Sequence, residues 1–560
     1  WTQLGSYAGK GATLIDLAEP VNWEVGDEIV IAPSGMEAQE AEQRTITNVA
    51  AGGTVITLDE PLTYNHFGKI LSYGGKDIDM RAEVGLLSRN IVIQGDDQSA
   101  STETGGHLMV MNDGRDRPAR ERIRRNAARA LKANGISPDL PRPTYQNLST
   151  AQIEGVEFRM MGQLGRQGRY PIHFHLLDDG SPSYVRNNSV HHSFNRAVVM
   201  HGTNRMRVTD NVAYHVKSHM FVFAEEGDEM FNELEGNLGV LNFALSQSER
   251  AFTGTAGGGR FEQEEPRAGI FWGQNMHTRL HNNVAAGSVK GNGFFLDTNA
   301  ISKELALYQR NETDGEVCNF VGNRAHSIHR GLGSPDLYAP RVKGFGVFLE
   351  DVGRLRGANG KCTIKDFSAY KVQFGGAWLE QGAILDNAII SDAHIGIVDG
   401  QTIQDTVLIG QSENLVGGSY SEQQERRGRL RTVTRHMGHP QKSRGGIVFN
   451  AQPGARQIGD QTITDVTCID MPSCLFFSAN RGDDYTLQVS DIDLSDVPHP
   501  IWVSTRTNRR SGERVVSGRL IDDDGSLTGA QGTYEMIDPA LVSPGHEPIL
   551  FGWPWREYYQ

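Results

Sequence analysis

The chain has 560 residues, 38 % of them hydrophobic, and a net charge of −14. That acidic balance excludes a general nucleic-acid binder. No apolar run reaches the 18 or more residues of a membrane helix, and the length fits several domains or one long solenoid.

Residues 1–75 alternate apolar and polar residues in short runs: ATLIDL, DEIVIA, QRTITNV and GTVITLD. The pattern predicts an antiparallel β domain. Its expected place is over the N-terminal end of a solenoid, where unpaired strand edges need cover. The chain opens on Trp1 rather than Met, so a signal peptide and part of this first domain are expected upstream.

Residues 76–520 read as stacked coils, beginning with SRNIVIQGDD and HLMVMNDG. Asparagines carry the clearest repeat. Asn188, Asn211, Asn237, Asn283 and Asn323 follow one another at intervals of 23, 26, 46 and 40 residues. A period near 23 with enlarged units, each holding two or three short strands, predicts a right-handed parallel β-helix. The fold class is therefore all-β, with the N-terminal antiparallel domain attached. An Asn at a fixed turn can hydrogen-bond to its counterparts above and below, and tolerates the left-handed conformation.

Three insertions interrupt the coils. Residues 113–145, rich in Arg and Ala with Pro118 and Gly135 near the ends, read as an inserted helix. It serves to bind a polyanion through arginine forks, or is a solvated face or a contact between protomers. Residues 245–270 form a Gly-rich loop, a lid over a cleft or a surface excursion. Residues 418–445 are a basic, polar loop. Residues 521–560 are a C-terminal cap or linker. Of four cysteines, Cys468 and Cys474 are close enough to pair. Cys318 and Cys362 stand about two coils apart, which argues against pairing.

Between Arg169 and Glu229 lie seven of the chain's 18 histidines: His173, His175, His191, His192, His201, His215 and His219. His175, His201 and Glu225 are 26 and 24 residues apart, so on a coil of that length they stack on one face, with strands roughly 4.8 Å apart. His173 shares a face with His175, and His219 is within reach. Imidazoles with one carboxylate suit Zn, Cu, Fe, Ni or Mn better than Ca. The candidate metal set is His173, His175, His201, His219 and Glu225, and no organic cofactor is called for. A metal-free acid–base set and a solvated polar ladder fit the same residues.

At these residues the chain resembles the family of cell-migration-inducing hyaluronidase and transmembrane protein 2. RYPIHFH, SYVRNNSVHHSFNRAVVMHGTN, VTDNVAYHVKSHMFVF and NNVAAGSVKGNGFF carry the resemblance. Upstream, WEVGDEIVIAPS and DEPLTYNHFG resemble the later part of that family's glycine-rich N-terminal domain. The resemblance implies a β-helix and secreted or cell-surface work on a glycosaminoglycan such as hyaluronan. The family's Gly-His-x-Phe-Phe-Leu-Glu-Asp-Gly motif stands here as Ser218 to Gly227, one residue longer and with Glu225–Glu226 for Glu–Asp.

The reading is an enzyme that depolymerises an acidic polysaccharide, by hydrolysis or by β-elimination. Glu225, Glu226, His201 and His219 are the candidate catalytic residues. Asp178, Asp179 and Asp228 are further acids, and Tyr214 is an alternative elimination base. Arg169, Arg196, Asp178 and Trp272 are the candidate substrate contacts. Arg196 serves to neutralise a sugar carboxylate or to pair within a turn, and Trp272 to stack on a sugar or pack in the core. A metal-stabilised adhesive β-helix and a metal-dependent oxidoreductase remain the other classes.

Overall fold

The structure, a computed structural model, describes residues 1–111, 149–225, 229–246, 249, 268–297, 318–329, 344–350, 362–373, 375–379, 382–393, 395–414, 445–450, 460–471, 473–478, 486–504 and 519–535. The inserted helix expected at 113–145, the loop at 418–445 and most of 245–270 lie outside the described residues.

The predicted β-helix is present. Each early coil contributes one strand to each of three parallel ladders. Ladder A runs Leu108–Met111, Ile172–Asp179, Val198–Asn204, Phe221–Phe223, Gly269–Gly273, Asn292–Asp297 and on to His499–Ser504. Ladder B begins Gln152–Glu154, Tyr184–Arg186, Arg207–Thr209 and Glu233–Glu235. Ladder C begins Ile91–Gln94, Val156–Arg159, Ser189–Ser193, Val212–Lys217 and Leu238–Phe243. From Ala383–Ser391 onward B and C fuse into single longer strands.

The interior is filled by alternate residues of ladder A meeting those of B and C. Phe221, Phe271 and Phe294 stack in successive coils at 5.0 and 4.8 Å. The asparagines form the predicted column at the B–C corner. Each Nδ2 donates to the Oδ1 of the next, at 3.1, 2.9, 3.0 and 3.0 Å from Asn188 to Asn323. The left-handed position is the residue before each: Asn187, Asp210, Gly236, Asn282 and Gly322 all have φ between 53° and 68°.

The N-terminal antiparallel sheet uses the expected strands, including Leu14–Asp16, Glu28–Ile31, Glu42–Val49 and Val55–Leu58. It extends past residue 75, because Glu83–Leu86 pairs with both Thr2–Gln3 and Glu28–Ile31. Its position differs from the expected end cap: it lies along the flank of the solenoid. Ile29 and Ile31 face its own core. Val30 and Ala32 pack on Val212, Tyr214, Leu238, Val240 and Val284 of ladder C. Farther along, the hairpin of Ile70–Tyr73 and Lys76–Asp79 packs Leu71 and Ile78 on Tyr370, Ile389 and Val407. The reason is that ladder C is apolar on both faces over these coils, and its outer strip has to be buried. Three His–Glu pairs sit in or behind this junction: His66–Glu42 at 3.1 Å, His191–Glu157 at 3.1 Å and His326–Glu83 at 2.9 Å.

Both cysteine pairs are disulfides, Cys318–Cys362 and Cys468–Cys474. The expectation against the first fails because its 44-residue separation is one enlarged coil. Phe320 pairs in register with Ile364, which puts Cys362 directly above Cys318. At the far end, Arg519–Asp522 adds a parallel strand and Gly532–Glu535 returns antiparallel to it. Residues 536–560 lie outside the described residues.

Candidate metal centre

The seven histidines divide by ladder. His191, His192 and His215 belong to ladder C, beside the N-terminal domain, where His192 stacks on His215 at 5.0 Å. Burial, with His191 alongside, pushes His192 down to about 3. Tyr214 is buried there too, its hydroxyl pushed up to about 12 by burial. It is therefore remote from the ladder A cluster and is no elimination base for it.

Ladder A brings together His173, His175 and His201. His175 is the direct register partner of His201, and His173 of Val199. One ligand atom from each of the three imidazoles lies within 4.8 Å of those of the other two. His173 and His175 meet edge to face at 5.0 Å, as do His175 and His201 at 4.9 Å. Burial, reinforced by His175, pushes His173 down to about 2. Its Nδ1 donates to the Gly168 carbonyl at 3.2 Å. Its Nε2 is buried and has no hydrogen-bond partner among the described residues. A neutral imidazole with a buried, unpartnered lone pair fits a metal ligand, and the three-histidine set suits a transition ion better than Ca.

The remaining expected ligands take other places. Glu225 is not in the converging set. Its Oε2 lies 3.2 Å from His201 Nδ1, and its Oε1 pairs with Arg196 and accepts from Tyr170 Oη at 3.3 Å. Register continued from Val199–Val222 sets Ala224, not Glu225, over His201. Glu225 turns back through φ 105° to reach it. His219 is wholly buried, stacks on Trp272 at 4.4 Å, and accepts the Gly269 N–H at Nδ1 at 2.9 Å. With Nδ1 so occupied, the neutral ring carries its proton on Nε2 and offers no ligand atom; burial holds it well below the usual range. This places His219 outside the metal set and away from substrate.

Two expected substrate contacts are structural instead. Arg196 is wholly buried between the rings of Tyr170 and Trp272, at 5.3 and 4.8 Å. Trp272 is wholly buried as well, so it presents no face to a sugar. Arg169 is exposed in the turn just before Tyr170, with Arg166 exposed nearby. Asp178 lies within the strand Ile172–Asp179, past a register shift that begins at His175. Glu226 and Asp228 are outside the described residues. Sequence reasoning missed Tyr170 and Gln274. The Gln274 side chain accepts the Glu225 N–H at 2.9 Å. The repeat could have found it, since Trp272 is in register with Val222 and Gln274 with Ala224. A cleft of about 490 Å³ lined by Glu28, Arg89, Glu157 and Arg159 lies elsewhere, between the N-terminal domain and ladder C.

Residues 144–332 match the family profile described as CEMIP beta-helix. The mouse protein Fibrocystin-L is 34 % identical over 98 % of this chain, which covers 12 % of that protein. The human cell migration-inducing and hyaluronan-binding protein is 28 % identical over 72 % of this chain and 31 % of its own length. Human cell surface hyaluronidase CEMIP2 is 26 % identical over 74 % of this chain and 32 % of its own length. The chain thus spans less than a third of the length of each of these relatives. Among the described residues no helix is long and apolar enough to cross a membrane. The solenoid of this chain is therefore similar, across residues 144–332, to the CEMIP β-helix, and the chain is similar over most of its length to the hyaluronan-binding and hyaluronidase proteins of that name.

Proposed function

We propose that the chain is the catalytic β-helix of an extracellular enzyme that hydrolyses an acidic glycan of the hyaluronan type, assisted by a transition-metal ion at His173, His175 and His201. The observation that carries the reading is the convergence of three imidazoles on one face of a solenoid, in a chain similar to a cell surface hyaluronidase. Two disulfides fit an oxidising, extracellular setting.

His173, His175 and His201 would hold the ion, which would supply Lewis acidity toward water or a sugar oxygen. The chain's own residues do the rest. Arg166 and Arg169, exposed beside the strand that carries His173, are suited to hold uronate carboxylates. Glu225 is engaged by Arg196, His201 and Tyr170, so it orients rather than protonates a leaving group. Hydrolysis is favoured over elimination because both candidate elimination bases, Tyr214 and His219, are buried away from an open face.

The test is to incubate the metal-loaded chain with hyaluronan and chondroitin, with a neutral glucan as control. New reducing ends without the ultraviolet absorbance of unsaturated uronates, lost in His201→Ala, are expected. No cleavage of either acidic glycan would overturn the enzyme reading and leave a metal-stabilised binding module.

A further inference from the structure

We propose that Glu225 is not a ligand of the metal ion but the carboxylate that aims His201 at it, and that Arg196 is the positioning residue that holds Glu225. This rests on the metal reading above.

His201 and His173 share one arrangement. His201 sets Nδ1 3.2 Å from the Glu225 carboxylate, and His173 donates from Nδ1 to the Gly168 carbonyl with its Nε2 buried. Outer-nitrogen hydrogen bonds of this kind fix the tautomer and ring orientation of metal-bound histidines and raise their basicity. The three histidine ligand atoms lie within 4.8 Å of one another, a set that Glu225 does not join. A tetrahedral ion spaces its nitrogen ligands about 3.4 Å apart, so small ring rotations close the triad, and the Nδ1 anchors set the axes of those rotations.

Glu225 needs holding. Its φ of 105° is one that side-chain-bearing residues rarely adopt. Its N–H is tied to Gln274, and its carboxylate to Tyr170 and Arg196. Arg196 cannot drift, because its guanidinium is enclosed by Tyr170 and Trp272 and has no exposure. The register equivalent of Arg196 one coil on is His219, which stacks on the same indole. The histidine that fails as a ligand therefore completes the wall behind the arginine.

The experiment is titration of the metal-free full chain with Zn²⁺ under chelator competition, and with Co²⁺ followed by its visible spectrum. Wild type, Glu225→Gln, Arg196→Met, the double variant and His201→Ala are compared. Glu225→Gln should weaken Zn²⁺ binding by about 10- to 100-fold while still taking up one ion. Arg196→Met should weaken it through the same carboxylate, so the double variant should bind no worse than Glu225→Gln alone. His201→Ala should lose stoichiometric binding. Unchanged affinity in Glu225→Gln, loss as complete as in His201→Ala, or additive losses in the double variant would overturn the assignment. Should Arg196→Met fail to fold by circular dichroism, Glu225→Gln alone decides. A wild-type chain that takes up neither ion would instead defeat the metal reading itself.

Discussion

Substitution of Asn237 by alanine tests the asparagine column that spaces the coils of the site. Asn237 is wholly buried. Its Nδ2 donates to the Val208 carbonyl at 2.7 Å and to Asn283 Oδ1 at 3.0 Å. Its Oδ1 accepts the Asn211 N–H at 3.1 Å and Asn211 Nδ2 at 2.9 Å. Alanine removes all four bonds. Asn211 Nδ2 keeps the Val185 carbonyl, and Asn283 Oδ1 keeps the Asn237 N–H. The Asn211 N–H loses the partner that Asn237 provides. With net values near 1 kcal/mol for a replaced bond and 1–3 for an orphaned group, the cost is about 3–5 kcal/mol. In a solenoid this loss is local, shared with nearest neighbours. Hydrogen exchange read by mass spectrometry is therefore the assay. Peptides covering 207–217 and 233–243 should exchange about a hundredfold to a few thousandfold faster, at 1.4 kcal/mol per decade, while the fused coils beyond residue 383 stay near wild type. Acceleration below about threefold in the first two peptides would refute the account of the column as a structural spine.

Three further outcomes follow from the fold. Reduction of Cys318–Cys362, which closes a 44-residue separation, should cost about 4 kcal/mol on loop entropy, and non-reducing peptide mapping should recover it linked. Gly273→Ala would set a Cβ 1.9 Å from the Phe223 ring inside the solenoid. Overpacking should lower stability by about 1–3 kcal/mol, read as a lower melting temperature. Burial works to raise the Glu42 carboxyl, but its bond to His66 and the Thr63 and Tyr64 N–H groups outweigh it and bring it to about 2 from 4.5. A depressed folded value means stability that is present above pH 4.5 and lost as the pH falls toward 2. Glu42→Gln should therefore melt below wild type at neutral pH, with the gap closing between pH 4.5 and 2; a constant gap would contradict the pairing.

The fold was legible where the repeat acts through one residue type at one corner. Five asparagines at intervals of 23, 26, 46 and 40 named the column before any coordinate was known, because a buried amide can satisfy its neighbours only when it meets another of its kind each turn. What the repeat did not carry was the length of an enlarged coil. Cys318 and Cys362 looked two turns apart because 44 residues is nearly twice the short period. The flank position of the N-terminal domain was equally hidden. Val212, Tyr214, Leu238 and Val240 read as strand residues, and only the filled interior shows that Val212 and Tyr214 face outward and need a cover.

The site was half legible for a related reason. Periodicity fixes which residues share a column within strands, so His175 over His201 followed from spacing alone. It does not fix what the chain does where a strand ends. The ladder A strand of the next coil stops at Phe223, and register would have put an alanine over His201. A strained turn at Glu225 then brings the carboxylate back to the histidine from outside the register. The same logic demoted Arg196, Trp272 and His219. Arg196 and His219 stand just before ladder A strands and Trp272 on the outer face of one, and burial there converts a cation, an imidazole and an indole from surface chemistry into the wall that holds one glutamate in place. A chain of this kind therefore places its column histidines by period and the groups around them by exception to it, and under the proposed metal reading the exceptions are where substitutions that touch no metal should still change how tightly one is held.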